Sequence, residues 1–379
     1  MLDCVIAGAG PAGSVAGVLL ARAGARVLIV DRESFPRDKL CGDTLNPGAV
    51  ALLQSLGLWG GPLEKAPALA GMMLTGPTER VEGRYGAGIA GRAITRRELD
   101  AWLLDRAIAA GARFEPGEIV RGPLVDSSRD VPVVRGLILA RRGDSSQVLR
   151  LPAAMTLGAD GRRSVLARAL GLSRHPRKPR RWAFGVYATG VDGTTDLGEM
   201  HIRPGSYLGI APLGDGRCNV CAVTGPRPAG PTPLDVVRRV IGRDPAIAAR
   251  FARAEFAGPV HVLGPLAVET IAPGVDGLLL AGDAAGFVDP MTGDGLSLAI
   301  RGAMLAAREV QTVLEAGVFD GAVARLEAAR RQSLGRKVRF NRVVRAIVEE
   351  AWAIRLAEAA AAMAPDVIRR AVRYAGDAA

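Results

Sequence analysis

The stretch that decides the fold is Val5-Ile6-Ala7-Gly8-Ala9-Gly10-Pro11-Ala12-Gly13, followed by a mainly apolar segment over 14–23. It predicts a buried strand, a tight glycine turn and a helix. Gly8 permits the turn, Gly10 lets a pyrophosphate approach the backbone, and Gly13 lets the helix pack on the strand. The helix N-terminus then presents free N–H groups and a partial positive charge to the phosphates.

A second apolar strand over 26–30 ends at Asp31. An acid at about this distance from the glycines is the expected partner of a ribose hydroxyl. Because strand, glycines, helix, strand and acid follow in order, the segment predicts a dinucleotide site. A membrane span over 4–21 is the alternative for this uncharged stretch, but five of its residues are Gly or Pro, which excludes it. The candidate contacts are Gly8, Gly10, Pro11, Ala12, Gly13 and Asp31.

Composition favours a protein of two domains with a sizeable core. The chain has 379 residues, 49% of them hydrophobic, and a net charge of +11. Four cysteines and a first strand close to Met1, with no signal peptide before it, favour a reducing, cytoplasmic location. A basic balance can attract nucleic acid, anionic membranes or anionic substrates. No nucleic-acid motif is present, so we expect no nucleic-acid partner.

The loop after the second strand carries a family resemblance. The acid at the strand end, followed by Pro36-x-x-Lys39-x-Cys41-Gly42, resembles the geranylgeranyl reductase family of FAD-dependent oxidoreductases, which is related to aromatic hydroxylases and flavin halogenases. The resemblance implies that this loop lies along FAD with Cys41 close to the flavin. The residues alone leave open that Cys41 is only a small buried side chain. The implied contacts are Arg32, Lys39, Cys41, Gly42 and Asp43.

Two further segments extend the resemblance. Arg96 opens a helix in Arg-x-x-Leu-Asp, similar to the family's Arg-x-x-Phe-Asp, in which the arginine contacts the cofactor. An arginine is unfavourable at a helix start, which indicates a bound anion, although a surface arginine is the alternative. The run Gly158-Ala159-Asp160-Gly161 resembles the superfamily motif near the FAD pyrophosphate and makes Asp160 a candidate contact.

The most specific match lies over 277–299, where an apolar strand leads into a glycine-rich loop and a helix. It is close to Gly-Asp-Ala-Ala-Gly-x-x-x-Pro-x-x-Gly-x-Gly of the geranylgeranyl reductase group. An aspartate after the strand can accept a ribose hydroxyl, and the helix start can place N–H groups under the electron-rich end of a flavin. The candidate contacts are Gly282, Asp283, Pro290, Gly293, Gly295 and Leu296.

Short alternating segments over 171–261 predict a β-sheet substrate domain. Within it, 205–212 resembles the family's Tyr-x-Trp-x-Phe-Pro segment, which lines the substrate cavity, but Gly209 and Ala211 replace the aromatic residues. Tyr207 and Cys41 are the candidate catalytic residues. The Cys218-x-x-Cys221 pair lies in a predicted strand, where residues three apart face opposite sides, so we expect no metal site.

The predicted fold is α/β: a Rossmann-like FAD-binding domain interrupted by a β-sheet substrate domain, with a helical C-terminal extension. The predicted divisions are 1–75 (FAD-binding), 76–95 (substrate-domain strands), 96–170 (FAD-binding), 171–261 (substrate domain), 262–320 (FAD-binding) and 321–379 (C-terminal helices).

The predicted activity is reduction of an alkene in an isoprenoid-like or other unsaturated, lipophilic molecule, by hydride transfer from non-covalently bound reduced FAD. The alternatives are a flavin-dependent monooxygenase acting on a lipophilic or aromatic substrate, and an FAD-containing lipid-binding or electron-transfer module without turnover. A halogenase is disfavoured because no tryptophan-rich signature is present. No second glycine fingerprint is found, so NADPH, NADH or another reductant would bind transiently.

The C-terminal helices have three possible roles. Residues 321–379 carry twelve Lys or Arg and six Asp or Glu, a net +6, together with an apolar stripe. They could pack on the body, close a substrate tunnel, or contact a membrane surface peripherally. The sequence specifies no oligomeric state.

Overall fold

The computed structural model of the chain describes residues 2–128, 133–176, 181–225 and 232–378. Its helices are α1 Pro11–Arg22, α2 Pro47–Ser55, α3 Pro62–Lys65, α4 Arg96–Ala109, α5 Val165–Ala169, α6 Pro233–Gly242, α7 Pro245–Arg250, α8 Gly295–Ala316, α9 Ala322–Glu349, α10 Ala351–Met363 and α11 Pro365–Ala375. Short 3₁₀ turns cover Gly282–Ala285 and Pro290–Thr292.

The strands are β1 Leu2–Ala7, β2 Val27–Asp31, β3 Thr44–Leu45, β4 Ala68–Leu69, β5 Gly71–Thr75, β6 Arg80–Arg84, β7 Gly91–Ala93, β8 Arg113–Pro116, β9 Glu118–Asp126, β10 Val133–Arg141, β11 Asp144–Gly158, β12 Ser173–Arg174, β13 Trp182–Thr189, β14 Leu197–Arg203, β15 Ser206–Pro212, β16 Arg217–Thr224, β17 Glu255–Leu263, β18 Glu269–Thr270, β19 Gly274–Val275 and β20 Leu278–Leu280.

The glycine stretch builds the predicted Rossmann-like unit. Strand β1 lies between β2 and β11 and is parallel to both, and β8 and β20 extend the parallel order on either side. Helices α1, α4 and α8 cover one face through an aliphatic core. Because the sheet is covered on both faces, its strands are nearly continuous apolar runs.

The second sheet has the order β17-β13-β16-β15-β14-β5-β6 within the described residues. Its outer face is covered by α6 and α7, and its inner face looks toward the loop over 32–43. Strand β5 pairs in parallel with β14, so the chain first enters the substrate sheet at Gly71. The predicted domain boundary at residue 76 is therefore wrong, because it falls inside this segment of the substrate sheet. Strand β7 instead pairs with β3 and β4. The local pattern could show that 71–95 forms strands, but not which partners they take.

The C-terminal helices pack back on the body. Helix α9 lies on α8, and α11 lies on β6, where Val372 occupies the space above Gly83. At the chain end, Gly48 N–H donates to the Gly376 carbonyl over 3.0 Å, and Asn46 Nδ2 donates to the Ala375 carbonyl over 3.1 Å. In the part of the chain that the structure describes, no helix is long and apolar enough to cross a bilayer.

Candidate cofactor and substrate site

The glycine turn, called the cradle below, is packed so closely that a side chain at Gly8 or Gly13 would clash with the backbone. Gly8 has a φ of +99°, and a Cβ on it would lie 2.5 Å from the carbonyl oxygen of Ala159. A Cβ on Gly13 would lie 1.9 Å from the carbonyl oxygen of Gly8. Gly10 precedes α1, whose first turn has no side-chain cap. Its free N–H groups therefore remain available to an anion, as FAD binding requires.

Asp31 supports this cradle directly. Its Oδ2 accepts a hydrogen bond from Ala9 N–H at 2.8 Å, and its Oδ1 accepts one from Glu33 N–H at 2.9 Å. The carboxylate thus holds the glycine turn as well as standing where a ribose acceptor is expected. Arg32, the neighbouring candidate, is largely exposed and lies 3.5 Å from the Glu33 carboxylate.

Replacing Asp31 by alanine is expected to weaken FAD binding by about 1–3 kcal/mol, because a hydrogen-bond acceptor is lost and the Ala9 N–H loses its partner. A flavin titration of apoprotein measures this. Asp3→Ala is the matched control, because Asp3 is a partly exposed carboxylate that pairs with Arg26 at the start of the same sheet. Equal affinities for the two variants would contradict the role of Asp31.

The three predicted segments converge on the cradle. A Cβ on Gly282 would lie 2.8 Å from Cβ of Ala12, so the turn that carries Asp283 lies against α1. Asp160 Oδ2 accepts from Val165 N–H at 2.8 Å, while its buried Oδ1 has no hydrogen-bond partner among the described residues. Burial raises the pKa of Asp160. An unpaired buried acceptor at this position fits a hydrogen-bond donor of a bound ligand.

Lys39, on the loop over 32–43, extends its side chain toward the turn that contains Asp160 and Gly161. Its Nζ lies 3.8 Å from the position a Cβ on Gly161 would take. Burial, with Arg96 and Arg37 adding repulsion, lowers the Lys39 pKa to about 8, and Asp283 opposes the shift. The ammonium is therefore close to both the Asp160 turn and the Asp283 turn.

Two arginines near the cradle were missed by sequence reasoning. Arg37 has one guanidinium nitrogen 3.8 Å from a Cβ position on Gly10, and Arg162 interacts with Asp283 across the turn. Nη2 of Arg162 is buried and has no hydrogen-bond partner among the described residues. Nη1 of Arg37 forms an ion pair with Oδ2 of Asp100 at 3.1 Å. Burial lowers the Arg162 pKa to about 10. A buried guanidinium donor without a partner, close to these turns, fits a bound pyrophosphate.

Arg96 is buried, so the alternative of a surface arginine is wrong. The anion that compensates it is Asp100, one turn along the same helix, whose oxygens accept two hydrogen bonds from the guanidinium at 2.7 Å each. Arg37 lies 3.1 Å from the same carboxylate. The unfavourable helix position is therefore offset within α4 itself. A cofactor contact of Arg96 stays a prediction.

Cys41 and Asp43 lie at the join between the loop and the substrate sheet. Burial raises the pKa of the Cys41 thiol, opposed by the nearby Arg96 guanidinium, and Cys41 is partly buried. Asn219 Nδ2 on β16 donates to the Cys41 carbonyl over 3.0 Å. Gly42, which lies between Cys41 and Asp43 in the chain, has open space at its Cβ position, and the nearest atom is Oγ1 of Thr44 at 3.9 Å.

Tyr207 is buried and its hydroxyl is already engaged. It donates to Asp289 Oδ1 over 2.5 Å, and Asp289 also accepts from Met291 N–H at 3.1 Å. Burial and the Asp289 carboxylate raise the Tyr207 pKa. Because Asp289 precedes Pro290, this bond ties the substrate sheet to the predicted flavin-binding turn.

The turn that begins at Pro290 leads into α8, whose N-terminus has no side-chain cap. Gly293 takes a left-handed φ of +67°. Asp294, the N-cap of α8, makes no side-chain cap, because its Oδ1 accepts instead from Thr292 and from Asn341 on α9. The first N–H groups of α8, at Gly295 and Leu296, are thus left to a ligand.

Much of the inner face of the substrate sheet is apolar, and its polar groups at Tyr187 and Asn219 contact the 32–43 loop. Met200 fills the space beside Gly209, its methyl lying 3.7 Å from a Cβ position there. On β16, Cys218 belongs to the outer core and Cys221 to the inner cluster, as the strand period predicts. A separate cavity of about 700 Å³ opens on the outer face, between α6, α7 and β17. The inner cluster comprises Ala183, Met200, Tyr207, Val223, Leu266 and Val348, with Leu40, Leu74, Ile202, Cys221, Leu263, Phe287 and Met291 packed against it.

Comparison with known proteins agrees with this geometry. The family described as "FAD binding domain" matches residues 1–213. The chain is 35% identical over 327 residues to menaquinone reductase of Mycobacterium tuberculosis (strain ATCC 25618 / H37Rv), covering 80% of this chain and 75% of that protein. It is 29% identical over 368 residues to digeranylgeranylglycerophospholipid reductase 2 of Methanothermobacter thermautotrophicus, covering 92% and 89%.

Solved structures show the same fold. The flavin-dependent brominase Bmp2 superposes with a TM-score of 0.85 at 20% identity, covering 99% of this chain and 93% of that one. A flavoprotein/dehydrogenase from Cytophaga hutchinsonii superposes with a TM-score of 0.78 at 20% identity, covering 92% and 86%.

Fold and comparisons together define an FAD-binding flavoprotein, an oxidoreductase in which the three predicted segments lie close together. The chain belongs to the FAD-binding-domain family, in the group similar to geranylgeranyl reductases.

Proposed function

We propose that the protein reduces a carbon–carbon double bond in an isoprenoid-like or other unsaturated, lipophilic molecule. The observation that carries the proposal is the apolar cluster between the Cys41 loop, the inner sheet face and the turn at Pro290. Relatives named menaquinone reductase and digeranylgeranylglycerophospholipid reductase 2 support it. NADPH, NADH or another reductant would recharge the cofactor transiently.

The residues of the site would have three roles: holding the cofactor, positioning groups near it and excluding water. Bound FAD would supply electrons as a hydride. Asp160, Asp283, Arg37 and Arg162 would hold its ribose and phosphate groups, while Cys41 would lie beside the reacting atoms. Tyr207 would act as a positioning residue through Asp289, because its buried hydroxyl is already donated. The apolar side chains would exclude water from the site.

A monooxygenase is the competing proposal, and the brominase neighbours share only the fold. The test is the fate of reduced protein given a polyprenyl lipid in air containing labelled oxygen. A reductase yields a hydrogenated lipid without the label, whereas labelled oxygen in the lipid would establish the monooxygenase. An electron-transfer or lipid-binding module would change the lipid in neither way.

We further propose that α10 contacts an anionic lipid surface from which the substrate is drawn. Trp352, Leu356 and Met363 fall on one side of α10 and are 64%, 61% and 87% exposed. The opposite side is fixed, because Glu358 Oε1 accepts from Thr78 N–H at 2.7 Å. An apolar stripe on a segment of net charge +6 is typical of interfacial helices.

Liposome co-sedimentation tests this contact. The parent is expected to bind anionic vesicles at low salt and to bind less at 1 M salt, where the screening length falls to about 3 Å. The double variant Trp352→Ser, Leu356→Ser is expected to lose binding. Val148→Ser is the matched control, because Val148 is 60% exposed in the FAD-binding domain. No sedimentation of the parent under any condition would refute the contact.

A further inference from the structure

Asp43 occupies an unusual position beside Cys41. It is 1% exposed, and its φ of 52° is in the left-handed region that side chains other than glycine seldom adopt. Strained backbone of this kind persists where surrounding contacts determine it.

The carboxylate of Asp43 is bonded to three separate elements. Its Oδ1 accepts from Arg96 N–H at the start of α4, over 3.2 Å. Its Oδ2 accepts from the Tyr187 hydroxyl on β13 at 2.8 Å and from Asn219 Nδ2 on β16 at 2.7 Å. Asn219 uses the same amide group to hold the Cys41 carbonyl at 3.0 Å. One carboxylate therefore links the loop, the FAD-binding domain and the substrate sheet.

The loop also lies directly on that sheet at Leu40. A Cβ on Gly185 of β13 would lie 2.0 Å from Cδ1 of Leu40, so only glycine allows this approach. Leu40 fixes the height of the loop above the sheet, but an apolar contact of this kind does not fix its direction. The hydrogen bonds of Asp43 do, because each requires a defined donor geometry.

We propose that Asp43 is a positioning residue for Cys41: through Asn219 and Tyr187 its carboxylate fastens the 32–43 loop to the substrate sheet and so sets where the thiol stands relative to the cofactor. The inference concerns only the loop and the sheet. It needs no substrate and can fail while the proposed reduction stands, and the reverse also holds.

The charge of Asp43 makes this attachment sensitive to pH. The groups facing it are Tyr187 on β13, Asn219 and Cys221 on β16, Arg96 on α4 and the Cys41 thiol. Burial raises the Asp43 pKa to about 6, although the hydrogen bonds from Tyr187 and Asn219 oppose the shift. Because a released, solvated aspartate titrates near 3.8, the attached loop binds the proton more tightly. Attachment therefore weakens as pH rises from about 4 to about 6 and is constant above that.

The test measures loop opening in full-length, FAD-loaded protein without substrate. Hydrogen exchange of peptides covering 36–46, corrected for the intrinsic rate, and alkylation of Cys41 by iodoacetamide are followed by mass spectrometry. Asp43→Ala is expected to accelerate both by roughly 10- to 100-fold, the range for losing buried hydrogen bonds. Asp38→Asn is the matched control, because Asp38 is an exposed carboxylate on the same loop, 3.4 Å from Arg97.

A pH series separates positioning from general packing. In the parent, corrected exchange of the loop is expected to rise between pH 4.5 and pH 6.5 and then level off, while Asp43→Asn removes this dependence. Tyr187→Phe should open the loop less than Asp43→Ala and keep the pH dependence. If Asp43→Ala does not fold, the parent series and Tyr187→Phe decide the matter. Unchanged opening in a folded Asp43→Ala, or a pH-independent parent, would overturn the proposal.

Discussion

Replacement of Gly13 by alanine is expected to abolish FAD binding and to lower the free energy of unfolding by about 3 kcal/mol or more. The new methyl group would lie 1.9 Å from the Gly8 carbonyl oxygen, which is backbone and cannot turn aside. The glycine turn and α1 must therefore separate, and the phosphate cradle opens with them. Thermal unfolding and the flavin content of the purified variant measure the two effects.

Two other glycines supply the controls. Gly242→Ala, at the end of α6, meets nothing within 4 Å and should leave stability and flavin content unchanged. Gly10→Ala meets only Arg37, at 3.8 Å, so it should fold normally but bind FAD weakly, since its methyl would stand where the pyrophosphate approaches. A Gly13→Ala protein as stable and as yellow as the parent would contradict the cradle.

The second large effect is expected from Asp377→Ala, at the end of the chain. Asp377 Oδ1 accepts from the buried Lys337 ammonium at 2.8 Å, and its Oδ2 accepts from Ser297 on α8 at 3.1 Å. Removing it leaves the Lys337 charge without its counterion, which should cost about 3 kcal/mol. The C-terminal tip would then leave α2 and α8, and FAD affinity would fall with it.

The measurements are the melting temperature, the flavin dissociation constant and trypsin cleavage after the C-terminal arginines. Asp366→Ala is the control, because its pair with Arg369 is exposed and surface pairs contribute little. Equal effects of Asp377→Ala and Asp366→Ala on melting temperature and FAD affinity would contradict the role of Asp377 in holding the chain end against α8.

The structure of the glycine turn was predictable because its contacts are local. Gly8, Gly13 and Asp31 act within one strand–turn–helix unit, and Gly282 and Gly293 take left-handed turns that their own segments require. The fold class follows from the same segments and is confirmed. Short motifs of this kind specify their local structure without contacts from distant parts of the sequence.

The join between the domains was not predictable from local pattern. The bond from Tyr187 to Asp43 spans 144 residues, and the bond from Asn219 spans 176. Neither tyrosine nor asparagine in a strand indicates a partner so far away. At Arg96 the local pattern predicted an anion, and Asp100, four residues on, is one such anion. A cofactor contact of Arg96 stays a prediction.

The measurement that tests the account most directly is a single turnover without oxygen. Full-length, FAD-loaded protein is reduced under nitrogen and mixed with a detergent-dispersed polyprenyl lipid. We expect the yellow colour of oxidised flavin to return while the lipid gains a pair of hydrogen atoms, and we expect Cys41→Ser to keep its FAD but to slow this return. A flavin that stays colourless until air is admitted, with the lipid unchanged, would contradict the account.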